Sequence, residues 1–290
     1  MKKALVLTGG GVKGAFQVGA LYHLLVDLGK EFDIITGISV GALNGSFLAQ
    51  YNKEDLKQAI VDLWDLWLII DNDRIRKSWK PFGFIHYLWE KSLYNSSPLE
   101  NLIDEHLDLE KLKNSNITLN VGAQAVGSGV YRKFCGKDPT IKDAVKASAA
   151  FPVFLKAVEI EGDLYVDGGV KEVAPLRHAI GLGAEHITII NTGPLDSITV
   201  NPRDISFIEY PMRMIELQGD EIVKDDLREF IETNELLRSG KLIDSPKRII
   251  EYDYIEPEKR LVKNPLEFNP KRIREMIQLG YDVAKKTMQK

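Results

Sequence analysis

The chain has 290 residues, of which 44% are hydrophobic and 28% charged, with a formal net charge of −4 and a pI near 5.8. This composition supports one soluble domain with a sizeable core, and its acidic balance argues against nucleic acid as a partner. No stretch approaches about 18 uninterrupted apolar residues, so we expect no membrane-spanning helix. The single Cys135 excludes an internal disulfide and suits a reducing, cytoplasmic compartment.

Two short apolar runs near the start, residues 4–7 and 34–35, are each followed by a glycine-framed turn and then by helical periodicity. This pattern predicts a βαβα unit whose first strand begins directly after Lys3, because the apolar run is too short for a signal peptide. Right-handed crossovers place such strands side by side. Both turns are therefore expected at the same carboxyl edge of a parallel sheet.

The second turn, residues 37–41, reads Gly-Ile-Ser-Val-Gly. It matches a nucleophile elbow, in which a serine stands on a sharp strand-to-helix turn between glycines because larger side chains would clash there. Ser39 would also lie at a helix N-terminus, where free amides favour developing negative charge. The alternative is that Ser39 only caps the helix predicted from Val40 to Gln50.

The first turn, residues 9–14, has the spacing of the dinucleotide-binding fingerprint, with Gly9, Gly11 and Gly14 in register. That fingerprint needs an acidic residue at the far end of the second strand, and Asp33 lies at the wrong end. A Walker-type loop is excluded because Lys13 is not followed by Ser or Thr. The remaining interpretations are a loop of backbone amides facing Ser39 and a set of glycines needed only for a tight turn.

The stretch from about residue 60 to 95 is rich in aromatic and basic residues and follows the elbow helix. Its composition fits a lid or an anchor at a lipid interface, since tryptophan favours the headgroup region and basic groups favour anionic lipid. The alternative is that the aromatic side chains pack under a helical cap. The chain's four tryptophans all lie here: Trp64, Trp67, Trp79 and Trp89.

Further along, turn residues and periodicity predict a hairpin of residues 117–125 and 130–134 and a helix over residues 141–150. A helix is predicted over residues 173–182 and a buried strand over residues 187–191. Residues 207–237 are charged and mostly helical, and a last helix runs from Pro270 to about Gln289 with Asn269 as its N-cap. We find no Cys/His cluster with metal spacing.

A serine nucleophile needs a base, and the candidate is Asp167, which ends a strand-like stretch and precedes Gly168 and Gly169. The alternative is an Asp-Gly hairpin turn, which residues 161–163 already supply just upstream. No histidine follows His186, so the Ser-acid-His order of an α/β-hydrolase is absent. We place five histidines outside the site: His23, His86, His106, His178 and His186.

Four blocks in this order resemble those of the patatin-like phospholipases, a family of lipid acyl hydrolases. They are the glycine loop at 9–14, the elbow at 37–41, the Ala-Ser-x-x-x-Pro block at 147–152 and the Asp-Gly-Gly turn at 167–169. The resemblance implies a Ser39–Asp167 dyad without histidine, and an oxyanion hole to which the Gly10 and Gly11 amides lie nearest. The wider oxyanion set is Gly9, Gly10, Gly11 and Gly14, and the supporting residues are Lys13, Gly37, Gly41, Gly168 and Gly169.

The resemblance further implies a three-layer α/β/α fold with a central, mostly parallel sheet and the elbow after its second strand. We expect a catalytic core over residues 1–200 and a helical C-terminal extension over residues 201–290 packed on the same domain. No cofactor and no metal are expected. The protein is expected in the cytoplasm, with peripheral membrane contact allowed by the tryptophan-rich stretch, while the sequence leaves its oligomeric state open.

The predicted function is hydrolysis of lipid or other acyl esters through an acyl-enzyme. Two alternatives stay open at this point: an oxidoreductase that binds a dinucleotide on the glycine loop, and a catalytically silent lipid-binding protein. Because no imidazole would titrate, activity is expected to stay high from mildly acidic to alkaline pH. An apparent pKa near 6.5 would instead indicate a histidine base.

Overall fold

A computed structural model describes residues 1–79, 90–195, 199–201, 203, 205–206, 209–241 and 247–289. In this part of the chain an eight-stranded, mostly parallel sheet has helices packed on both faces. The strand order is β5-β6-β3-β2-β1-β7-β8, with β4 paired to β3. The predicted three-layer α/β/α architecture is confirmed.

The strands are β1 (Lys3–Leu7), β2 (Ile34–Gly37), β3 (Thr118–Ala125), β4 (Tyr131–Cys135), β5 (Val158–Ile160), β6 (Asp163–Asp167), β7 (His186–Ile190) and β8 (Glu251–Ile255). Strands β1, β2, β3, β7 and β8 pair in parallel. Strands β4 and β6 run antiparallel to β3, and β5 runs antiparallel to β6. Both predicted hairpins are therefore present.

The helices among the described residues are α1 (Gly14–Tyr22), α2 (Val40–Leu48), α3 (Leu56–Leu68), α4 (Asn72–Ile75), α5 (Ser97–His106), α6 (Leu109–Asn114), α7 (Ile141–Ser148), α8 (Leu176–Gly181), α9 (Glu209–Arg238) and α10 (Pro270–Met288). Helix α10 begins as predicted, because the Asn269 side chain accepts hydrogen bonds from two amides of its first turn. No helix in the described part of the chain is both long enough and apolar enough to cross a membrane.

The register of the central strands brings the two glycine turns together. Leu7, the last residue of β1, lies opposite Gly37 of β2 on one side and Ile190 of β7 on the other. The chain leaves these three parallel strands at the same edge, as their crossover connections require. The segment after β7 therefore joins the glycine loop and the elbow at this edge.

The core lies on both faces of the sheet. Helices α1, α2, α3 and α10 pack on one face, and α8 and α9 pack on the other against the apolar side chains of β1 and β7. Helices α1 and α10 approach closely through Gly19 and Gly280, since a Cβ at either glycine would overlap a carbonyl oxygen of the other helix. The C-terminal residues thus contribute to both helical layers.

Two elements differ from those expected. The C-terminal extension is not only helical, because residues Glu251–Ile255 form β8 at the edge of the sheet, where alternate charged side chains are tolerated. Helix α8 starts at Leu176 instead of residue 173, since the residue before Pro175 is driven out of the helical region by the proline ring.

Candidate active site

Ser39 stands on a strained turn between β2 and α2. Its backbone has φ 56° and ψ −128°, a sparsely populated region that costs on the order of 1–3 kcal/mol and is concentrated at functional sites. Its side chain makes no capping hydrogen bond to α2, so the interpretation of Ser39 as a simple helix cap is wrong. The turn requires glycine on either side, because a Cβ at Gly37 would overlap Gly41 and a Cβ at Gly41 would overlap the carbonyl oxygen of Leu7.

The side chain of Ser148 supports the turn at Ser39. The backbone N–H of Ser39 donates a 3.0 Å hydrogen bond to Oγ of Ser148, which is fully buried at the end of α7. This contact joins the Ala-Ser-x-x-x-Pro block directly to the elbow across 109 residues of sequence. The signal was present as a serine among small residues at a helix end, but its partner depended on the tertiary fold.

Replacing Ser148 with alanine is expected to lower kcat about tenfold, corresponding to about 1.4 kcal/mol, because the Ser39 amide loses its hydrogen-bond acceptor. The KM should change little, since Ser148 does not line the cavity described below. Ser115→Ala is a matched control, because the buried Ser115 hydroxyl also accepts a backbone hydrogen bond, from Ile117, away from the site. An unchanged kcat in Ser148→Ala, or an equal loss in the control, would contradict this role.

The glycine loop lies against the elbow. A Cβ at Gly9 would stand 3.2 Å from the Cβ of Ser39, so the loop backbone approaches the serine as closely as packing allows. Gly10 and Gly11 have φ angles of 152° and 58°, which favour glycine. Within the described residues, their two amides donate to no other group, which leaves them available at the edge of the site.

The other two members of the predicted oxyanion set differ from this pair. The Gly9 amide donates to the carbonyl of Val173, and the Gly14 amide closes the first helical turn onto Gly11 and Val12. Gly9 and Gly14 are therefore not free donors. Gly14 instead permits the start of α1 to pack on α2, since a Cβ there would overlap Val40.

Contacts from the segment after β7 position the loop. The Thr192 hydroxyl donates a hydrogen bond to the Gly9 carbonyl, and the Thr192 amide donates to Thr8 Oγ1 at 3.1 Å. We predicted no role for Thr192 from the sequence, although it follows directly after a predicted buried strand. Lys13 is buried beside the loop, and its Nζ lies 3.8 Å from Oε1 of Glu216 on α9.

Asp167 completes the site from the end of β6. Its Oδ1 accepts a 2.8 Å hydrogen bond from the Gly169 amide, and the Ser39 side chain lies close enough to lower the pKa of its carboxyl group. Gly168 has no room for a side chain, since a Cβ there would lie 2.6 Å from the Gly122 carbonyl oxygen. The Asp-Gly-Gly turn is thus not the turn of a hairpin. It places the carboxyl group of Asp167 next to Ser39, the predicted nucleophile.

Burial raises the pKa of Asp167 to about 6, against the lowering effect of its hydrogen bonds from Ser39 and Gly169. Only 3% of the residue's surface is exposed, and removal from water disfavours its charged form. A carboxylate with this pKa is a stronger base than an ordinary aspartate at neutral pH. The expectation of undiminished activity at mildly acidic pH is corrected accordingly, because Asp167, the predicted base, would be half protonated near pH 6.

Three of the four histidines in the described part of the chain pair with acidic residues, while His106 lines the cavity described below, so its expected place outside the site is corrected. His23 pairs with Asp27 at 2.8 Å, His178 pairs with Glu172 at 2.8 Å, and His186 pairs with Asp253 at 3.0 Å. In the described part of the chain, the groups that interact with Ser39 and Asp167 do not include a histidine. His86 lies outside the described residues.

Ser39, Asp167 and the glycine loop line a cavity of about 200 Å³. One part of the cavity is walled by apolar side chains of α2, α3, α5 and α7, and another part by α9 and the charged groups near Lys13. The site can therefore accept a molecule with a long apolar part and a polar part, held on either side of the serine.

The predicted lipid-interface tryptophans occupy different environments. Trp67 is 4% exposed, donates its Nε1–H to Oδ1 of Asn44 and lines the cavity, so it belongs to the interior and not to an exposed anchor. Trp64 is half-buried and packs on Tyr22 with ring centroids 5.0 Å apart. Trp79 donates to the Ser92 carbonyl, and Trp89 lies outside the described residues.

A comparison with models of protein families matches residues 5–180 to the patatin-like phospholipase family. This match covers more than half of the chain and includes the glycine loop, Ser39, Ser148 and Asp167, but not Thr192 or the α9 groups. The chain belongs to the patatin-like phospholipase family. Membership of this family supports a lipid ester hydrolase, and it agrees with the resemblance found from the four sequence blocks.

Curated relatives are similar over part of their length. An uncharacterised protein of Acanthamoeba polyphaga mimivirus is 30% identical over 181 residues, covering 58% of each chain, and YjjU of Escherichia coli is 28% identical over 209 residues, covering 66% of this chain and 52% of its own. Lysophospholipase NTE1 of Lodderomyces elongisporus is 25% identical over 67% of this chain and 13% of its own. The chain thus spans just over half the length of the first two relatives.

Among solved structures, VipD from Legionella pneumophila aligns with 99% of this chain and 66% of its own at 16% identity, with a TM-score of 0.46. No argument rests on this alignment.

Proposed function

We propose that this patatin-like protein hydrolyses lipid acyl esters through a Ser39–Asp167 dyad. The observation that carries the proposal is the placement of Ser39, on its strained turn, beside the buried carboxyl group of Asp167 at the wall of a largely apolar cavity. A serine next to a base, with donors nearby for an oxyanion, meets the geometric requirements of acyl transfer.

The reaction proceeds in two steps. Ser39 Oγ attacks the ester carbonyl while Asp167 takes its proton, and the carbonyl oxygen, now negatively charged, accepts hydrogen bonds from the Gly10 and Gly11 amides. Asp167 then gives the proton to the departing alcohol, which leaves an acyl ester on Ser39. Asp167 then takes a proton from water, which attacks this ester, and gives the proton to Ser39 Oγ as the fatty acid leaves.

The glycine loop favours this proposal over dinucleotide binding. A pyrophosphate at the start of α1 would need the first amides of that turn. The Val12 amide instead donates to the Pro265 carbonyl at 2.8 Å, and the Lys13 amide donates to Gly10. A Cβ at Gly11 would overlap the Pro265 carbonyl oxygen, so a segment of the chain already covers the place of the phosphates.

The proposed substrate is a phospholipid, lysophospholipid or related acyl ester, taken from a lipid surface by peripheral contact. The Lodderomyces relative is named as a lysophospholipase, and it is similar to this chain over 67% of the chain's length. Of the three tryptophans in the described part of the chain, Trp79 is the one proposed to face the membrane, since Trp67 is buried and Trp64 packs on the core.

The test is to incubate the purified protein with defined phospholipids and lysophospholipids, and separately with a fluorophosphonate probe. We expect release of free fatty acid and a single labelled peptide that contains Ser39, because the probe reacts with an activated serine. Heat-denatured protein is the control for both measurements. Vesicle binding without fatty acid release or labelling would indicate a silent lipid-binding protein and contradict the proposal.

A further inference from the structure

The apolar part of the cavity runs along one face of helix α2, away from Ser39. The α2 residues that line the cavity are Val40, Leu43, Asn44, Ser46 and Phe47, which recur at the three- and four-residue spacings of a single helix face. Gln50, just beyond the helix, also lines the cavity. We call this part of the cavity the α2 arm. Its opposite walls come from α3, α5 and α7.

A pair of buried residues, Gln50 and Leu107, lines the α2 arm at the end of α2 farther from Ser39. Gln50 is 8% exposed, accepts a 2.6 Å hydrogen bond from the Asp108 amide and donates one of 3.0 Å to the His106 carbonyl. These bonds tie the end of α2 to the end of α5. Leu107, which is 5% exposed, lines the cavity beside them. An acyl chain that extends from Ser39 along the arm would therefore reach the side chains of Gln50 and Leu107.

The charges around the cavity decide which part of an ester lies in the α2 arm. On the other side of Ser39, the cavity is lined by Lys13, Glu216 and Asp220. Asp167, which would protonate the departing alcohol, lies beside Gly169 and Val170 on the way to α9. The alcohol part of the substrate thus has polar partners towards α9, and the apolar acyl part is left for the α2 arm.

We propose that the α2 arm binds the acyl chain and that Gln50 and Leu107 limit its length to about 13 carbons. Gln50 follows Ser39 by eleven positions, which corresponds to about 16 Å at the rise of a helix. In an extended acyl chain, each carbon–carbon bond of about 1.5 Å advances the chain by about 1.25 Å, so about 13 carbons span this distance. This inference rests on the proposed function and adds the chain length of its substrate.

The first test compares the hydrolysis of butyryl, octanoyl, lauroyl and palmitoyl nitrophenyl esters by the wild-type protein in mixed detergent micelles. We expect kcat/KM to rise up to the lauroyl ester and to fall at least about tenfold for the palmitoyl ester, whose last carbons find no room. A value for palmitoyl equal to or above that for lauroyl overturns the chain-length limit. Hydrolysis of none of the esters overturns the proposed function itself.

The second test enlarges the α2 arm at Leu107. Leu107→Ala is expected to raise the palmitoyl-to-lauroyl ratio of kcat/KM about tenfold, since it opens space at the end of the arm. Leu112→Ala is the matched control, because Leu112 is a buried leucine of α6 outside the cavity lining. The same ratio in both variants overturns the inference.

A third variant covers the case in which Leu107→Ala does not fold. Leu43→Trp narrows the arm one helical turn from Ser39 at a half-buried position, and it should make the octanoyl or butyryl ester the best substrate. An unchanged preference for the lauroyl ester in this variant also overturns the inference.

Discussion

Replacing Ser39 with alanine is expected to lower kcat for ester hydrolysis by about 10⁵- to 10⁶-fold, the loss seen when the nucleophile of a serine hydrolase is removed. The free energy of unfolding should fall by about 1 kcal/mol, because the buried Asp167 carboxyl group loses the Ser39 hydroxyl as a partner while the backbone turn is retained. The measurements are steady-state hydrolysis of a short-chain nitrophenyl ester and thermal unfolding of the same preparations.

Ser46→Ala is the matched control for this variant. Ser46 is a buried serine on the same helix, lines the same cavity and donates its hydroxyl to the Leu43 carbonyl, but it does not contact Asp167. We expect its kcat to remain within a few-fold of the wild type. Activity of more than a few per cent in Ser39→Ala would show that another group is the nucleophile.

Replacing Asp167 with asparagine is expected to lower kcat by about 10⁴-fold, because asparagine can still orient the serine but cannot take its proton. In the wild type, kcat/KM should fall about tenfold per pH unit on the acid side of an apparent pKa of about 6, where the Asp167 carboxylate becomes protonated. An unperturbed histidine would give a similar value, so the pH profile by itself does not distinguish the two bases. The temperature dependence of the apparent pKa does, since it is weak for a carboxyl group and strong for an imidazole.

The same substitution should make the folded protein more stable above pH 6. The pKa of Asp167 is about 6 in the folded protein, against 3.8 for an exposed aspartate, so its neutral form favours folding. This contribution is complete at acidic pH and is lost as the pH rises through about 6, which leaves a penalty of about 3 kcal/mol in alkaline solution. Asp167→Asn has no such penalty. Its gain over the wild type should therefore grow with pH and vanish near pH 4.

Asp163→Asn, on the same strand, is the matched control, and we expect its effect on stability to have the opposite sign. The pKa of Asp163 is lowered by hydrogen bonds from the Ser128 hydroxyl and from the Gly127 and Ser128 amides, so its charged form favours folding. This variant should be less stable than the wild type at neutral pH and should keep its activity. Equal activity of Asp167→Asn and Asp163→Asn, or a histidine-like temperature dependence, would rule out Asp167 as the base.

The strand-turn-helix units at the N-terminus could be predicted from sequence because their causes are local. Gly37 and Gly41 are needed by the contacts of a single turn, and the apolar runs on either side specify a buried strand and its helix within a few residues. Asp167 could be named because its strand, its Asp-Gly-Gly turn and the resemblance to a family all converge on it. The C-terminal strand β8 was missed, because its partner β7 lies about 60 residues upstream and its own residues alternate charged and aromatic side chains.

The finer properties of the site depend on contacts between distant segments. Ser148 supports Ser39 from 109 residues away, and Pro265 closes the turn that begins at Gly10. The raised pKa of Asp167 is a consequence of complete burial, which no spacing of residues along the chain can specify. The available amides at Gly10 and Gly11, unlike those at Gly9 and Gly14, were likewise visible only once their neighbours were placed.

The sequence by itself determined the glycine loop and the elbow, because backbone conformation at glycines and apolar periodicity act over short stretches of chain. The three-layer fold and the proposed dyad followed from the resemblance of four sequence blocks to a known family. The tertiary structure decided the basicity of Asp167, the placement of Gln50 and Leu107 along the α2 arm, and the burial of Trp67. These properties arise from desolvation and packing. Both depend on which distant segments meet, and not on the order of residues within any one of them.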